Sequence, residues 1–188
     1  MAQAKTLTTN ELRQVLDYTA DHSFAMRNRM ILLFSFWSGM RVGEIASLRV
    51  ADVVDAGGKV KAEIKLAPEQ TKGKHARTVF LSQKLRDELQ VYCDIRAVKD
   101  RKQAFFLTAG GKPFSANVMT QHFFWLYRKA GVDGASSHSG RRTFITTLAS
   151  KGIGVRVLAS LAGHRSIAVT QCYIDVNDDM KRNAVELV

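Results

Sequence analysis

The chain has 188 residues, 46% of them hydrophobic, which is enough to bury a core and too apolar for a disordered tail. Lys and Arg number 28 against 17 Asp and Glu, a formal net charge of +11, so a polyanion is the expected partner and nucleic acid the first candidate. The most apolar run, MILLFSFW at 30–37, is far too short to span a bilayer, and no GxxxxGK[ST] phosphate loop occurs.

In chain order, Thr8 and Glu11 form a capping box that predicts a helix to about residue 20. A second helix is predicted from about Phe24 to Trp37, with Met26, Met30, Leu33, Phe34 and Trp37 at helical spacing and Ser38-Gly39 as its end. A short helix follows over 42–48. The pattern then turns alternating and β-branched in VADVV, VKAEIKL and RTVFL, with Gly57-Gly58 and TKGKHA as turns, which predicts three antiparallel strands over 50–81. Further helices are predicted at 82–98 behind Ser82, 115–130 behind Ser115, 138–150, 154–162, 166–173 and 177–187, with FFLT at 105–108 extended. No Pro/Gly/Ser linker divides the chain. The expectation is therefore one domain over 1–188, mainly α with a small antiparallel three-stranded β-sheet, an α+β fold. Cys93 and Cys172 have no metal-binding spacing and the N-terminus lacks an apolar signal region, so a reduced cytoplasmic protein is expected.

The acidic residues are scattered, and the cluster Asp175, Asp178 and Asp179 suits a helix N-terminus, so no metal centre is expected. Basic groups and one tyrosine remain. SGMRVGEIASL sets Arg41 just after a helix end, between Gly39 and Gly43, with Glu44 one turn along to hold local geometry. Arg suits a phosphate gripped by two parallel hydrogen bonds, although Arg41 taken alone reads better as a solvated loop residue. SSHSGRRTFITTLA puts His138 on one helical face with Arg141 or Arg142, while Phe144, Ile145 and Leu148 point inward. EQTKGKHARTVFL carries Lys72 and Lys74 in a turn, either of which could swing in to give a proton to a leaving oxygen. In LAGHRSIAVTQCYID, Gly163 ends a helix, His164 follows, Ser166 can cap the next helix, and Tyr173 stands nine residues after the His. A tyrosine there is ordinarily a half-buried packing residue. To act as a nucleophile a phenol, whose unperturbed pKa is ~10, must lose its proton to a neighbour or sit among cations.

Each signal is weak alone, but the ordered set Arg41, a hairpin Lys, HSGRR and AGHRSIAVTQCY resembles the tyrosine recombinase, or phage integrase, family. The resemblance covers 39–173 and implies that family's catalytic-domain fold and metal- and ATP-independent strand transfer on double-stranded DNA. It implies Tyr173 as nucleophile forming a 3′-phosphotyrosyl link, and Arg41 and Arg141 as clamps on the non-bridging oxygens. It further implies Lys72 as donor to the leaving 5′-oxygen, His138 in proton transfer at the tyrosine, and His164 in a hydrogen bond to the phosphate. Glu44 is expected to be structural. The family pattern alone selects Arg141 over Arg142 and Lys72 over Lys74. Ser139-Gly140 departs from an acidic residue followed by Leu in many members, and Gly140 is expected to loosen that turn. The separate N-terminal core-DNA-binding domain is expected to be absent, which leaves a single-domain recombinase or a piece of a longer integrase. The resemblance also implies a tetramer on two duplexes, with 177–188 either docking on a neighbour or packing equally well on its own domain. The alternatives are a non-catalytic DNA-binding accessory protein of the same fold and a type IB topoisomerase.

Overall fold

The structure, a computed structural model, describes residues 4–97, 100–174, 181–182 and 185–186. Helix α1 (Thr9–Ala20) opens on the predicted capping box: Glu11 N–H donates to Thr8 Oγ1 at 3.2 Å and Thr8 N–H to Glu11 Oε2 at 2.9 Å. Helix α2 (Ala25–Ser38) ends at Gly39, which is left-handed at φ 63°. The predicted stripe is too narrow for α2, because Met30, Ile31, Leu32, Leu33 and Phe34 are all fully buried. Burial on every side makes α2 the central helix, and each of its buried Leu and Ile side chains contributes about 1.5–3 kcal/mol relative to exposure. It packs against α1, α5 (Gln83–Arg96) and α7 (Ser139–Ser150).

After α3 (Val42–Ser47), the segment VADVV departs from expectation. It forms α4 (Val50–Val53), not a strand. Asp52 Oδ2 accepts the Arg49 N–H at 2.8 Å, a side-chain cap that competes with a β ladder. Val50 and Ala51 meanwhile donate to the carbonyls of Gln103 and Arg101. Val54 keeps a strand-like bridge to Val60. Among the described residues the sheet therefore has two strands where three were predicted. Strand β1 (Glu63–Leu66) pairs antiparallel with β2 (Arg77–Phe80), with Glu63 opposite Phe80 and Leu66 opposite Arg77. The Lys-bearing turn lies between them.

The remaining helices follow prediction closely. Ser82 caps α5, Ser115 caps α6 (Ala116–Lys129) and Ser166 caps α9 (Ile167–Gln171), each accepting a backbone N–H two or three residues ahead. Helix α8 (Val155–Ala162) precedes α9 and ends at Gly163. The helix predicted to 173 stops at Gln171, so Cys172 and Tyr173 lie in a turn. The segment 177–187 and the acidic cluster at 175–179 fall largely outside the described residues. No helix among the described residues is long and apolar enough to cross a membrane.

Gly140 has a role different from the loosening expected of it. A Cβ there would stand 2.8 Å from Ser35 Cβ and 3.2 Å from the Phe36 ring, so its bareness lets α7 lie directly on α2. That contact sets the start of α7 beside the end of α2, and with it Arg141 beside Arg41.

Candidate active site

Arg41 occupies the N-cap position of α3 in extended conformation. Its backbone N–H donates to Glu44 Oε2 at 2.8 Å, its Nη1 to Glu44 Oε1 at 3.0 Å and its Nη2 to the Gly163 carbonyl at 3.0 Å. The Glu44 side chain is 1% exposed and also receives Arg77 Nη2 at 2.8 Å. Arg77 Nη1 bonds the Leu161 carbonyl at 2.8 Å. One buried carboxylate thus holds two guanidiniums and, through them, the end of α8. Glu44 fits the structural part expected of it.

Arg141 is buried at the start of α7. Its Nη1 donates to the Gly39 carbonyl at 2.6 Å, and its Nη2 to the Ala162 carbonyl at 2.6 Å and to His164 Nε2 at 2.8 Å. Burial works first against its cation, followed by the charge of Arg41. Because a guanidinium stays charged, an anion that reaches it is strongly favoured. The same surroundings push His164 down to about 4, through burial first and then Arg141, Arg41 and Arg77. His164 is therefore neutral near pH 7.

Arg41, Lys72, Arg77, His164, Arg165 and Ser166 line a cleft of about 680 Å³. Lys72 lines it from the β1–β2 connection and Lys74 does not, a choice that local sequence left open. That turn is pinned, since Thr71 Oγ1 accepts the His75 N–H and donates to the His75 carbonyl. Tyr173 lies in a second cleft of about 610 Å³ with Ser136, His138, Arg142 and Cys172. Val169 borders both clefts. The Tyr173 ring stacks on His164 at 5.7 Å and 18°, with the Arg142 guanidinium 5.7 Å from its centroid. His138, partly open to solvent, is held below the ordinary histidine range by burial, then by Arg141, Lys72 and Arg41.

All six predicted residues thus fall in one neighbourhood. Arg41, Lys72 and His164 share the first cleft, Arg141 is bonded to His164 from behind, and Tyr173 and His138 share the second. Arg142, weighed as an alternative to Arg141, lies against the tyrosine instead. Sequence reasoning missed Arg77 and Thr170. Arg77 was read as part of a strand. It lies on the same face as Val79, which is 2% exposed, and an arginine on an inward strand face was the available signal. Thr170 carries no local signal. Among the described residues no group of three His, Cys, Asp or Glu side chains could hold a metal ion.

Comparisons with known proteins bear on the family and the fold. A family model described as the phage integrase family matches residues 5–180. Tyrosine recombinase XerA of Pyrococcus furiosus is 27% identical over 187 residues, 97% of this chain and 61% of the relative. Tyrosine recombinase XerC of Lactobacillus leichmannii is 27% identical over 175 residues, 89% of this chain and 57% of the relative. The crystal structure of XerA recombinase superposes with a TM-score of 0.77 at 25% identity, covering 100% of this chain and 66% of that one. The chain therefore spans about three fifths of the curated relatives it matches. With a family match over nearly its whole length and the helical fold to go with it, the chain belongs to the phage integrase family.

Proposed function

We propose that this chain is the catalytic domain of a site-specific DNA recombinase that cuts and rejoins double-stranded DNA through a 3′-phosphotyrosyl intermediate. The observation that carries the reading is that Arg41, Lys72 and His164, from distant segments, line one cleft, while Arg141 bonds to His164 from behind and Tyr173 stacks on the same imidazole. A scissile phosphate in that cleft meets unspent donors. Arg141 uses three of a guanidinium's five N–H groups on protein partners, and Arg41 two. In the proposed complex those left over serve the non-bridging oxygens, where charge develops as phosphorus becomes pentavalent.

In the proposed step the Tyr173 phenol oxygen bonds to phosphorus and the bond from phosphorus to the 5′-oxygen breaks. His138, neutral near pH 7, takes the phenol proton, and Lys72 gives a proton to the departing 5′-oxygen. A 5′-hydroxyl of the partner strand reverses the step, so the phosphodiester energy is kept in the protein–DNA link. Because Tyr173 and Lys72 line different clefts, the turn bearing the tyrosine shifts in the proposed step to place its oxygen in line with the leaving group. Assembly as a tetramer on two duplexes, in a cytoplasmic, nucleoid-associated setting, belongs to the same proposal. So does the description of 1–188 as one catalytic unit.

The test uses a pool of nicked duplexes of randomised sequence, from which protein–DNA adducts are recovered on denaturing gels and the modified peptide is sequenced. The expected result is an adduct on Tyr173 that is lost in Tyr173→Phe. An adduct on another residue, or one that survives the substitution, overturns the assignment. DNA binding with no adduct at all favours the accessory-protein reading.

A further inference from the structure

Thr170 is fully buried in α9, outside both clefts. Its Oγ1 lies 2.8 Å from His164 Nδ1, and His164 Nε2 lies 2.8 Å from Arg141 Nη2. A guanidinium has donors and no acceptor, so Nε2 must present its lone pair to Arg141. A neutral ring then carries its proton on Nδ1, and Thr170 Oγ1 accepts it. The three side chains form one directed chain: Thr170 receives from His164, which receives from Arg141, two more of whose N–H groups go to the carbonyls of Gly39 and Ala162.

We propose that Thr170 is a positioning residue that locks His164 as the Nδ1–H tautomer and, through it, aims the Arg141 guanidinium at the cleft. In the DNA-free protein His164 is then an acceptor directed at an arginine. It can donate to a phosphate only after Nε2 gains a proton. Stacking of Tyr173 on the same ring means that the orientation of His164 also sets where the phenol rests. The proposal deepens the recombinase reading at that reading's own site, but its tautomer and arginine measurements stand without any cleavage activity.

The experiment is magnetic resonance on DNA-free protein with isotopically labelled His and Arg, for wild type, Thr170→Val and Thr170→Ser. In wild type, Nδ1 is expected to carry a proton protected from exchange and Nε2 to be pyridine-like. Thr170→Val, close in shape but without the acceptor, should lose that protection and broaden the Arg141 guanidinium protons. Thr170→Ser should restore both. A buried donor left unpaired costs about 1–3 kcal/mol, so Tyr173-adduct formation should fall by a factor of about 5 to 160 in the Val variant and return in the Ser variant. A wild-type ring protonated on Nε2 overturns the proposal before any variant is made. Unchanged Nδ1–H protection in Thr170→Val also overturns it. Absence of adduct in wild type refutes the recombinase reading and leaves the tautomer result to decide this one.

Discussion

Replacing Glu44 by Gln keeps the shape of the side chain and removes the carboxylate that Arg41 and Arg77 share. In the native protein that carboxylate is 1% exposed and accepts three donors within 3.0 Å. Removing one member of a buried ion pair leaves an uncompensated buried charge and typically costs about 3–5 kcal/mol. The side chain of Arg41 is 27% exposed and that of Arg77 10%, so water reaches part of the stranded charge, and the lower end, ~3 kcal/mol, is the expected loss. For a domain of this size about 1 kcal/mol shifts Tm by about 2–4 °C, so Tm should fall by about 6–12 °C. Thermal unfolding followed by circular dichroism at pH 7 reads this directly. Inorganic sulfate should recover more of the loss in Glu44→Gln than it adds to wild type, because the variant's cleft gains a net positive charge. A fall of less than about 2 °C, or equal sulfate responses, would refute the picture of a carboxylate that neutralises this cluster.

Gly140→Ala tests the α2–α7 contact by sign. Alanine in a helix interior ordinarily stabilises by roughly 0.5–1 kcal/mol, but here its Cβ would press on Ser35 and Phe36, so a loss of about 1–3 kcal/mol in urea unfolding is expected. Acid should weaken the fold before its carboxylates titrate. His164 and His122 are each pushed down to about 4, both chiefly by burial, so the unfolded chain takes up their protons first. Their contribution is complete above about pH 6.5 and is lost as pH falls toward 4, and denaturant titrations of wild type against His122→Gln and His164→Gln should show a flatter decline in each variant. Lys72→Ala should slow adduct formation roughly hundred-fold or more, the range of a lost general acid, and a substrate with sulfur in place of the leaving 5′-oxygen should recover most of it. Lys74→Ala should leave adduct formation nearly unchanged, and equal losses in the two variants would remove Lys72 from the role.

Helix positions were legible wherever a cap is local. Thr8 with Glu11, Ser82, Ser115 and Ser166 each satisfy orphan N–H groups within three residues, and the helices start where those residues predict. The extent of the sheet was not legible. VADVV has strand composition, yet Asp52 bonds the Arg49 N–H and the neighbouring backbone finds partners at Arg101 and Gln103, fifty residues away in the chain. β-Branched composition reports a tendency, and distant partners decide the outcome.

The amino-acid order alone settled which chemical groups the protein possesses and the spacing of each within its own helix or turn, because caps, turns and helical faces are made by near neighbours. It also supplied the resemblance that named six site residues. Tertiary packing decided which of those groups meet. The pairs that build the site, Arg141 with Gly39 and Arg41 with Gly163, lie more than a hundred residues apart, and a bare Gly140 of α7 packed against α2 brings the first of them together. The same packing put Lys72 and not Lys74 on the cleft, set Arg142 against the tyrosine, and drew in Arg77 and Thr170. The physical reason is that a side chain's partner across a core depends on how helices stack, and helix stacking depends on the volumes of residues far away in sequence.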